Sequence, residues 1–476
     1  MTNTPRYQLY IDGKRRSAER YQTVINPYDG SAVGEVALGN ADDVELAGQA
    51  CAAAFEHTRR MPVYERARIL QAISDGIARE SEALSRTIAK ESGKPIRYAR
   101  GEVKRAIDTF ALAAGQCRTF EGEVVPIDQR PGTEGRLGLF RRVPRGPVLA
   151  ISPFNFPLNL VAHKLAPALA VGAPVTLKPA AQAPITAHQL ARIVEEAETP
   201  PGAFNVVHCE PEVADSMVTD DRYRVLSFTG SDALGWRLKG RAPKKHVLLE
   251  LGGNAPSIVD QGADLKKTAA KLAESAWANA GQVCIKTQRI FVHRDGFEEF
   301  LGSFLRATEA VRAGNPLDED TMVGPLIDAG AVRRVLDWIA EAERQGARRW
   351  CGGKVEGQVL SPTVLTGTVA EQRVRCEEIF GPVAIVEPAE SFEHALELAN
   401  DSRYGLQASV FTPSVDHALL AYDRLDYGGI LVNDPPTLRV DNAPYGGMKD
   451  SGMGREGVPF AMLELTEPKL LSLNRL

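Results

Sequence analysis

The chain has 476 residues, about three times the usual span of one domain, so we expect two or three domains. Hydrophobic residues make up 44% and charged residues 25%, which are ordinary globular values and exclude an intrinsically disordered chain. The 56 Lys and Arg residues are outnumbered by 61 Asp and Glu residues, and the resulting formal charge of −5 argues against a nucleic-acid-binding protein.

The cysteines and the apolar stretches indicate in which cell compartment the protein is expected. Six cysteines are too few for a disulfide framework, and none forms a C-x-x-C pair, so we expect no metal site. Residues 1–11 lack the apolar core of a signal peptide. Residues 146–162 are the least charged stretch, but a lipid-exposed helix would tolerate their three prolines badly. We therefore expect a soluble, cytoplasmic protein with no membrane segment.

The first half of the chain predicts helices followed by a parallel sheet. In 63–90 and 98–120, within a helical region spanning about 42–120, apolar residues recur every three or four positions. Residues 132–143 alternate like an exposed hairpin. Beyond residue 146, short apolar runs alternate with helical segments, which is typical of a doubly wound α/β sheet. The predicted strands are 148–151, 174–177, 204–208, 225–228 and 247–251, and the predicted helices are 158–170, 186–198 and 232–239.

The alternation restarts after residue 252 and predicts a second α/β domain with its own sheet. Helices are expected near 265–279, 296–312, 331–345 and 392–400, and strands at 289–293, 383–386, 408–411 and 430–433. Residues 463–473 are extended in character with one proline interruption. Together with the hairpin, this tail suits an oligomerisation element.

Three polar side chains are candidates for catalysis, and each has a plain structural alternative. Cys284 follows a helical pattern among small residues, which suits a nucleophile, although lone cysteines are commonly inert core. Glu250 ends an apolar strand before two glycines, where desolvation would favour a general base unless water reaches it. Asn155 lies between two prolines after a strand, where its amide can face an oxyanion or form an Asx turn.

Two further signals point to a nucleotide. Lys178 leaves a strand before Pro179 and can bond ribose hydroxyls, attract phosphate or face water. Gly230 and Ser231 join a strand to the next helix, where Ser231 can hold a phosphate or cap the helix. The G-x-G-x-x-G fingerprint is absent. Four of these five signals lie at strand ends, so one sheet edge would gather them into a single crevice.

Over essentially its whole length, the chain resembles the family of NAD(P)-dependent aldehyde dehydrogenases. Seven motifs in the family's order carry the resemblance: Pro-Phe-Asn-Phe-Pro (153–157), Leu-Lys-Pro (177–179), Phe-Thr-Gly-Ser (228–231), Glu-Leu-Gly-Gly-Asn-Ala-Pro (250–256), Gly-Gln-Val-Cys (281–284), Glu-Glu-Ile-Phe-Gly-Pro (377–382) and Pro-Tyr-Gly-Gly-Met-Lys-Asp-Ser-Gly (444–452).

The resemblance implies an α/β fold with three parts. These are a Rossmann-type coenzyme domain (1–126 and 146–252), an α/β catalytic domain (253–440), and a small β oligomerisation region of hairpin 127–145 and arm 455–476. Because the arm in such proteins extends a neighbour's sheet, a homodimer or homotetramer is implied.

The resemblance also implies roles for individual residues. Cys284 would attack the aldehyde, Asn155 and the Cys284 backbone N–H would form the oxyanion hole, and Glu250 would activate water. Lys178 would bind the adenosine ribose, Ser231 would lie near the pyrophosphate, and Glu378 would hold the nicotinamide ribose. The full set implied for the coenzyme is Ile151, Ser152, Phe154, Lys178, Ala181, Phe228, Gly230, Ser231, Leu251, Gly252, Glu378 and Phe380.

Departures from the family pattern bear on the coenzyme and the substrate. Many NAD-preferring members carry Glu where this chain has Ala181, so both NAD and NADP stay open. The segments around Asn155 and Cys284 look like the branch of lactaldehyde, phosphonoacetaldehyde and non-phosphorylating glyceraldehyde-phosphate dehydrogenases. Arg105 would then bind an anion or belong to a solvated helix face, and His163 would line the pocket or be structural. The candidate substrate residues are Arg105, Phe156, His163, Val283 and Ile285.

The leading hypothesis is oxidation of an aldehyde to its acid through a thioester that water cleaves. A Cys–Glu–Lys amidase or nitrilase-like hydrolase is a rival, since Cys284, Glu250 and Lys178 supply those residue types, but it leaves motifs 228–231 and 377–382 unexplained. CoA-acylating members of the family commonly lack the base found here as Glu250. An inactive relative would be expected to have lost Cys284, Asn155 or Glu250.

Overall fold

The computed structural model describes residues 4–474, and its largest element is an eight-stranded sheet. The five central strands are parallel to one another, and the outer strands pair with their neighbours in antiparallel orientation. These central strands are buried almost throughout, which explains their near-continuous apolar sequences. The strand order is Gly452–Met453, His246–Glu250, Val225–Thr229, Val148–Ile151, Val175–Lys178, Phe204–Val206, Leu9–Ile11, Lys14–Arg16.

Helices cover this sheet. The predicted helix over 63–90 is wrong as a single element, because the chain breaks at Glu80 (φ −104°, ψ 14°) and continues as a second helix. The helices Pro211–Thr219 and Val458–Glu464 were not predicted. The helices of this half are Ala41–Thr58, Val63–Arg79, Ser81–Ser92, Ile96–Gln116, Asn159–Val171, Ile185–Glu196, Pro211–Thr219, Asp232–Arg241 and, from the C-terminal part of the chain, Val458–Glu464. A small sheet beside them contains Arg6–Tyr7, Ala32–Leu38 and Arg20–Ile25.

A seven-stranded sheet with its own helices forms the second half. Its strands are parallel except for the first pair. The strand order is Arg348–Cys351, Thr363–Thr366, Val383–Ala389, Arg289–His293, Pro256–Val259, Gln407–Phe411, Gly429–Val432. The helices are Leu265–Trp277, Phe297–Glu309, Ala329–Arg344, Arg373–Cys376, Phe392–Asn400 and Val415–Arg424, with 3₁₀ turns at Ala278–Gly281 and Arg294–Gly296. Two short ladders pair Val355–Glu356 with Val359–Leu360 and Tyr404–Gly405 with Met448–Lys449.

The predicted hairpin is wrong as drawn, because 132–143 contain one strand and not two, but this strand and the predicted tail do join one three-stranded antiparallel sheet. Arg136–Pro144 pairs with Glu123–Val125 on one side and with Thr466–Asn474 on the other. Leu470, Leu471 and Leu473 on the outer strand are largely exposed. The mixed α/β fold class is confirmed, whereas the division into three domains stays a prediction. Within residues 4–474, no helix has both the length and the apolar character needed to cross a lipid bilayer.

Candidate active site

Two cavities meet at Cys284, whose side chain lines both. The first, which we name the sheet-edge cleft, has a volume of about 690 Å³ and opens at the carboxyl ends of the parallel strands, among them Val148–Ile151 and His246–Glu250. The second, which we name the helix-side cavity, has a volume of about 540 Å³. It lies between helix Ile96–Gln116 and the loop 434–445. A cysteine at this junction can react with a group in one cavity while a second group occupies the other.

The loop before Cys284 is strained. Asn279, Ala280 and Gly281 are three consecutive residues with left-handed backbones, at φ 52°, 54° and 69°. A Cβ at position 281 would lie 2.1 Å from the carbonyl oxygen of Gly381, so only glycine fits there. Strain of this kind persists where the surrounding structure fixes a functional segment, and here it delivers Cys284 to the junction.

Asn155 is held against this loop. Its buried side-chain amide donates a hydrogen bond to the carbonyl of Gln282 at 3.0 Å, two residues before the cysteine. Asn155 also lines the sheet-edge cleft beside Cys284. The amide is therefore fixed near the position where an oxyanion on a cysteine adduct would form.

Glu250 lies on the other side of Cys284, and a tyrosine connects the two. The Tyr445 hydroxyl donates to Glu250 Oε1 at 3.2 Å and lies 3.3 Å from Cys284 Sγ. Glu250 Oε2 is buried with no hydrogen-bond partner within 4–474. Burial, reinforced by the nearby Glu456, raises the pKa of Glu250 to about 7, which suits a general base. Burial also raises the pKa of the Cys284 thiol well above its ordinary value.

A buried charge network lies behind Glu250. Glu456 accepts from Arg439 Nη2 at 2.9 Å and from Lys164 Nζ at 3.3 Å. Although burial opposes ionisation, Lys164 and Arg439 lower the pKa of Glu456 to about 2. Lys164 Nζ also donates to Thr229 Oγ1 at 2.7 Å, at the end of a sheet strand. Glu456 is therefore ionised, and its charge favours the protonated form of Glu250.

Glu378 in the sheet-edge cleft is fixed by a glutamine that sequence reasoning missed. Gln288 donates to the carbonyl of Glu377 at 2.7 Å and accepts from the Ile379 N–H at 3.0 Å, so it holds the backbone on both sides of Glu378. Glu378 Oε1 accepts from the Gly253 N–H at 3.0 Å. A Cβ at Gly252 would lie 2.5 Å from Glu378 Oε2, so a larger residue there would displace the carboxylate. Burial raises the pKa of Glu378 to about 8.

An aromatic pair forms another wall of the cleft. Phe380 has a left-handed backbone (φ 47°), and Arg334 donates to the carbonyl of the preceding Ile379 at 2.7 Å. The Phe380 ring packs edge-on against Phe154, with centroids 5.9 Å apart. The loop 377–380 is thus held from two sides, by Gln288 and by Arg334.

The sheet-edge cleft fits a dinucleotide. All twelve residues that the sequence predicts for the coenzyme line it. Ser231 precedes helix Asp232–Arg241 without making a side-chain cap, so its hydroxyl is available to a phosphate. Lys178, whose pKa is lowered by burial, and Glu378 also line the cleft, where they could bind ribose hydroxyls.

Four of the five predicted substrate residues line the helix-side cavity, namely Arg105, Phe156, Val283 and Ile285. His163 is not among its lining residues. Its ring is fully buried and Nε2 contacts Asp441 Oδ1 at 2.9 Å. Burial and Arg439 lower the pKa of His163 to about 4, so it is a neutral structural residue.

Lys94, Arg439 and Tyr445 are among the lining residues of this cavity that were not predicted. The buried Lys94 pairs with Glu102 and lies 3.5 Å from the centre of the Phe156 ring. Tyr445 lies inside the last of the seven motifs, which is the one sequence signal that pointed to it. Across residues 4–474, no group of three or more His, Cys, Asp or Glu side chains is arranged to hold a metal ion.

Comparison with known proteins agrees with this geometry. A sequence profile of the aldehyde dehydrogenase family matches residues 14–471. The 3-sulfolactaldehyde dehydrogenase of Priestia megaterium is 38% identical over 475 residues, covering 100% of this chain and 99% of that protein.

Solved structures agree as well. Aldehyde dehydrogenase 21 from Physcomitrella patens, in complex with the reaction product succinate, matches with a TM-score of 0.97 and 39% identity, covering 99% of each chain. The glyceraldehyde-3-phosphate dehydrogenase GapN from Methanocaldococcus jannaschii, complexed with NADP, matches with a TM-score of 0.92 and 35% identity, covering 96% of this chain and all of that one.

These matches confirm the predicted fold and reaction class and argue against the amidase or nitrilase-like hydrolase. The chain belongs to the aldehyde dehydrogenase family, and it is an NAD(P)-dependent oxidoreductase that converts an aldehyde to the carboxylic acid.

Proposed function

We propose that the substrate is a short aldehyde whose far end carries an anion, a carboxylate or a sulfonate. The observation that carries this proposal is Arg439 in the wall of the helix-side cavity, the same cavity that Cys284 lines. Its side chain is only 6% exposed, and a buried guanidinium in a substrate cavity is the residue type best suited to a carboxylate or sulfonate.

The hydrogen bonds of Arg439 leave donors for a ligand. Nη2 bonds Glu456, but Nε has no hydrogen-bond partner in the described part of the chain, and the closest carboxylate oxygen to it, on Asp441, is 4.0 Å away. Arg105, 30% exposed on the same wall, pairs with Asp441 at 2.5 Å and reinforces the positive potential. Because Nε is buried, an anionic substrate group would be held by the part of the guanidinium that lines the cavity, not by Nε.

Two relatives support this substrate class. The 3-sulfolactaldehyde dehydrogenase is named for an aldehyde with a sulfonate. The Physcomitrella enzyme is bound to succinate, which carries a second carboxylate beyond the one formed in the reaction.

The roles of the catalytic residues follow from the site. The Cys284 thiolate attacks the aldehyde carbon, and the new oxyanion is stabilised by the Asn155 amide and the Cys284 backbone N–H. The coenzyme, when bound, accepts the hydride. Glu250 then takes a proton from the water that cleaves the Cys284 thioester.

The sheet-edge cleft accepts NAD and NADP alike in this proposal. Ala181 places no carboxylate at the adenosine ribose, and its carbonyl is occupied by Gln22, which donates to it at 2.7 Å. Lys178 in the same cleft offers a cation to ribose hydroxyls or phosphate.

We further propose a cytoplasmic homodimer or homotetramer. All six cysteines are free, as in reducing compartments. The outer strand Thr466–Asn474 is an unpaired edge of its sheet and exposes Leu470, Leu471 and Leu473. Such an edge is usually covered, and the sheet of a second copy would cover it.

The substrate proposal is tested with a matched pair of four-carbon aldehydes, succinic semialdehyde and butanal. We expect kcat/KM to favour the anionic aldehyde by about 10- to 100-fold, the range expected when a charged group makes hydrogen bonds of its own. Arg439→Met should remove most of that preference, and Arg439→Lys, which keeps a cation for Glu456, should retain part of it. Equal kcat/KM values for the two aldehydes in the wild-type enzyme would refute the proposal, as would an unchanged preference in both variants.

A further inference from the structure

We propose that the Tyr445 hydroxyl transfers the thiol proton of Cys284 to Glu250 and thereby generates the nucleophile. This inference rests on the proposed roles of Cys284 and Glu250 and adds a third catalytic residue between them. It gives the two side chains a direct connection through protein atoms.

The distances match a two-step hydrogen-bond chain. Tyr445 Oη lies 3.3 Å from Cys284 Sγ and 3.2 Å from Glu250 Oε1. A phenol oxygen can accept one hydrogen bond while its own proton is donated to another group. Tyr445 can therefore accept from the thiol and donate to the carboxylate at the same time, which is the polarity that this transfer requires.

Several contacts fix Tyr445 in this position. Its backbone N–H donates to the Glu456 carbonyl at 3.0 Å, and its carbonyl accepts from the Glu456 N–H at 2.6 Å. The Arg439 guanidinium lies 3.7 Å from the centre of its ring. The side chain is only 5% exposed. Burial and the neighbouring Cys284 and Glu250 raise the pKa of Tyr445 well above its ordinary value, which keeps it a neutral hydroxyl, and the Arg439 cation over the ring opposes part of that rise.

The proton balance closes without a redox change. The S–H bond of Cys284 breaks and its proton binds the Tyr445 oxygen, while the original Tyr445 proton moves to Glu250 Oε1. Tyr445 is neutral before and after, Cys284 becomes a thiolate, and Glu250 becomes a neutral acid. Glu250 must then release its proton to solvent before it can take one from the hydrolytic water.

The need for such a device follows from the surroundings of the thiol. Burial and the neighbouring Glu250 disfavour the Cys284 thiolate, so the thiol does not ionise by itself at neutral pH. Moving the proton onto Glu250 removes the carboxylate charge at the same moment that the thiolate charge appears. The net charge of the buried site is then unchanged.

The test is the rate at which iodoacetamide alkylates Cys284 at different pH values, in the absence of any aldehyde. For Tyr445→Phe, we expect the rate at pH 7 to fall by about tenfold or more and the midpoint of the pH profile to rise by about one unit. Peptide mapping by mass spectrometry verifies that the label is on Cys284. The matched control is Tyr223→Phe, which removes another buried hydroxyl, one without a hydrogen-bond partner among residues 4–474.

A second variant separates a relay from a packing effect. Glu250→Gln removes the final proton acceptor and should slow alkylation at pH 7 as Tyr445→Phe does, and the double variant with Tyr445→Phe should be no slower than either single variant. An unchanged profile in Tyr445→Phe, or multiplicative effects in the double variant, would overturn the relay while leaving the nucleophile assignment intact. No labelling of Cys284 in the wild-type enzyme, while the partly exposed Cys351 and Cys376 are labelled, would overturn both.

Discussion

The two cavities that meet at Cys284 are built in different ways. The sheet-edge cleft is lined largely by residues at the ends of parallel strands and in the loops that follow them, and every residue that the sequence predicts for it lines it. The helix-side cavity is formed by side chains from distant segments, and three of its important residues, Lys94, Arg439 and Tyr445, were missed. A site built on strand ends leaves local motifs in the sequence, whereas a site built from long side-chain contacts does not.

The electrostatics of the two cavities differ as well. In the cleft, burial raises the pKa of Glu378 to about 8, and at its junction with the cavity burial raises that of Glu250 to about 7. In the helix-side cavity, cations are matched by buried carboxylates, as in the Lys94–Glu102 pair. Carboxylates with raised pKa values thus mark the cleft, whereas paired charges mark the helix-side cavity, where we propose that Arg439 binds the anionic end of the substrate.

Removing the group shared by the two cavities should have the largest effect. Cys284→Ala is expected to lower the oxidation rate by at least about 10⁴-fold, since removing a catalytic nucleophile has effects of this size. Coenzyme affinity, measured by fluorescence titration, should stay the same because the cleft keeps its other lining residues. Retained turnover, followed by absorbance of the reduced coenzyme, would remove Cys284 from the nucleophile role.

The next largest effect is expected at Glu250. Glu250→Gln should slow deacylation by about 10²- to 10³-fold, as for the loss of a general base. Hydride transfer should continue once per site, which gives a burst of reduced coenzyme and then a slow steady rate.

The pH dependence of Glu250 provides a separate check. A base acts in its ionised form, so with a pKa of about 7 the wild-type steady-state rate should rise with pH up to about 7 and level off above it. In Glu250→Gln the deacylation rate should no longer rise with pH in this range. A wild-type rate that is flat between pH 5 and 8 would contradict the assignment.

Each cavity is supported by one buried glutamine. Substituting each glutamine in turn should therefore change the KM of only one ligand, although by less than the variants above. Gln288 fixes the loop that carries Glu378, and Gln407 donates to the carbonyls of Pro436 and Leu438 behind the helix-side cavity. Gln288→Leu should raise the coenzyme KM by about fivefold to tenfold and leave the aldehyde KM alone, consistent with the loss of one or two hydrogen bonds.

Gln407→Leu serves as the matched control and should do the reverse. If both variants raise the same KM, or if each lowers only the melting temperature, the idea that each glutamine supports its own cavity would be wrong.

Much of the fold was predictable from the sequence because its signals are local. The strands at 148–151, 225–229 and 246–250 are short apolar runs between helices, and they were predicted to within about a residue. Strand Pro256–Val259, in the middle of the second sheet, was missed. It begins with proline only six residues after another strand, and it is identified as a strand only by its neighbours in the sheet.

The active site was also predictable where its residues lie in local motifs, and it was missed where a residue acts through contacts that are distant in the sequence. Cys284, Glu250 and Asn155 each lie in a motif at a strand or helix end, so the sequence alone brought them together. The role of Tyr445 depends on a contact with Cys284, 161 residues earlier, and that of Arg439 on Glu456 and Asp441. For His163 the error was the opposite one, since a residue was predicted for the pocket that does not line it. Its position on a helix next to the active-site loop does not reveal which way the ring faces.

The most direct test of the central claim is mass spectrometry of the Glu250→Gln enzyme mixed with succinic semialdehyde and NAD or NADP. The account predicts a covalent acyl group on the Cys284 peptide, present only when the coenzyme is present and released by hydroxylamine, as expected for a thioester. An enzyme that turns over the aldehyde without such an adduct, or that carries it on another residue, would contradict the account.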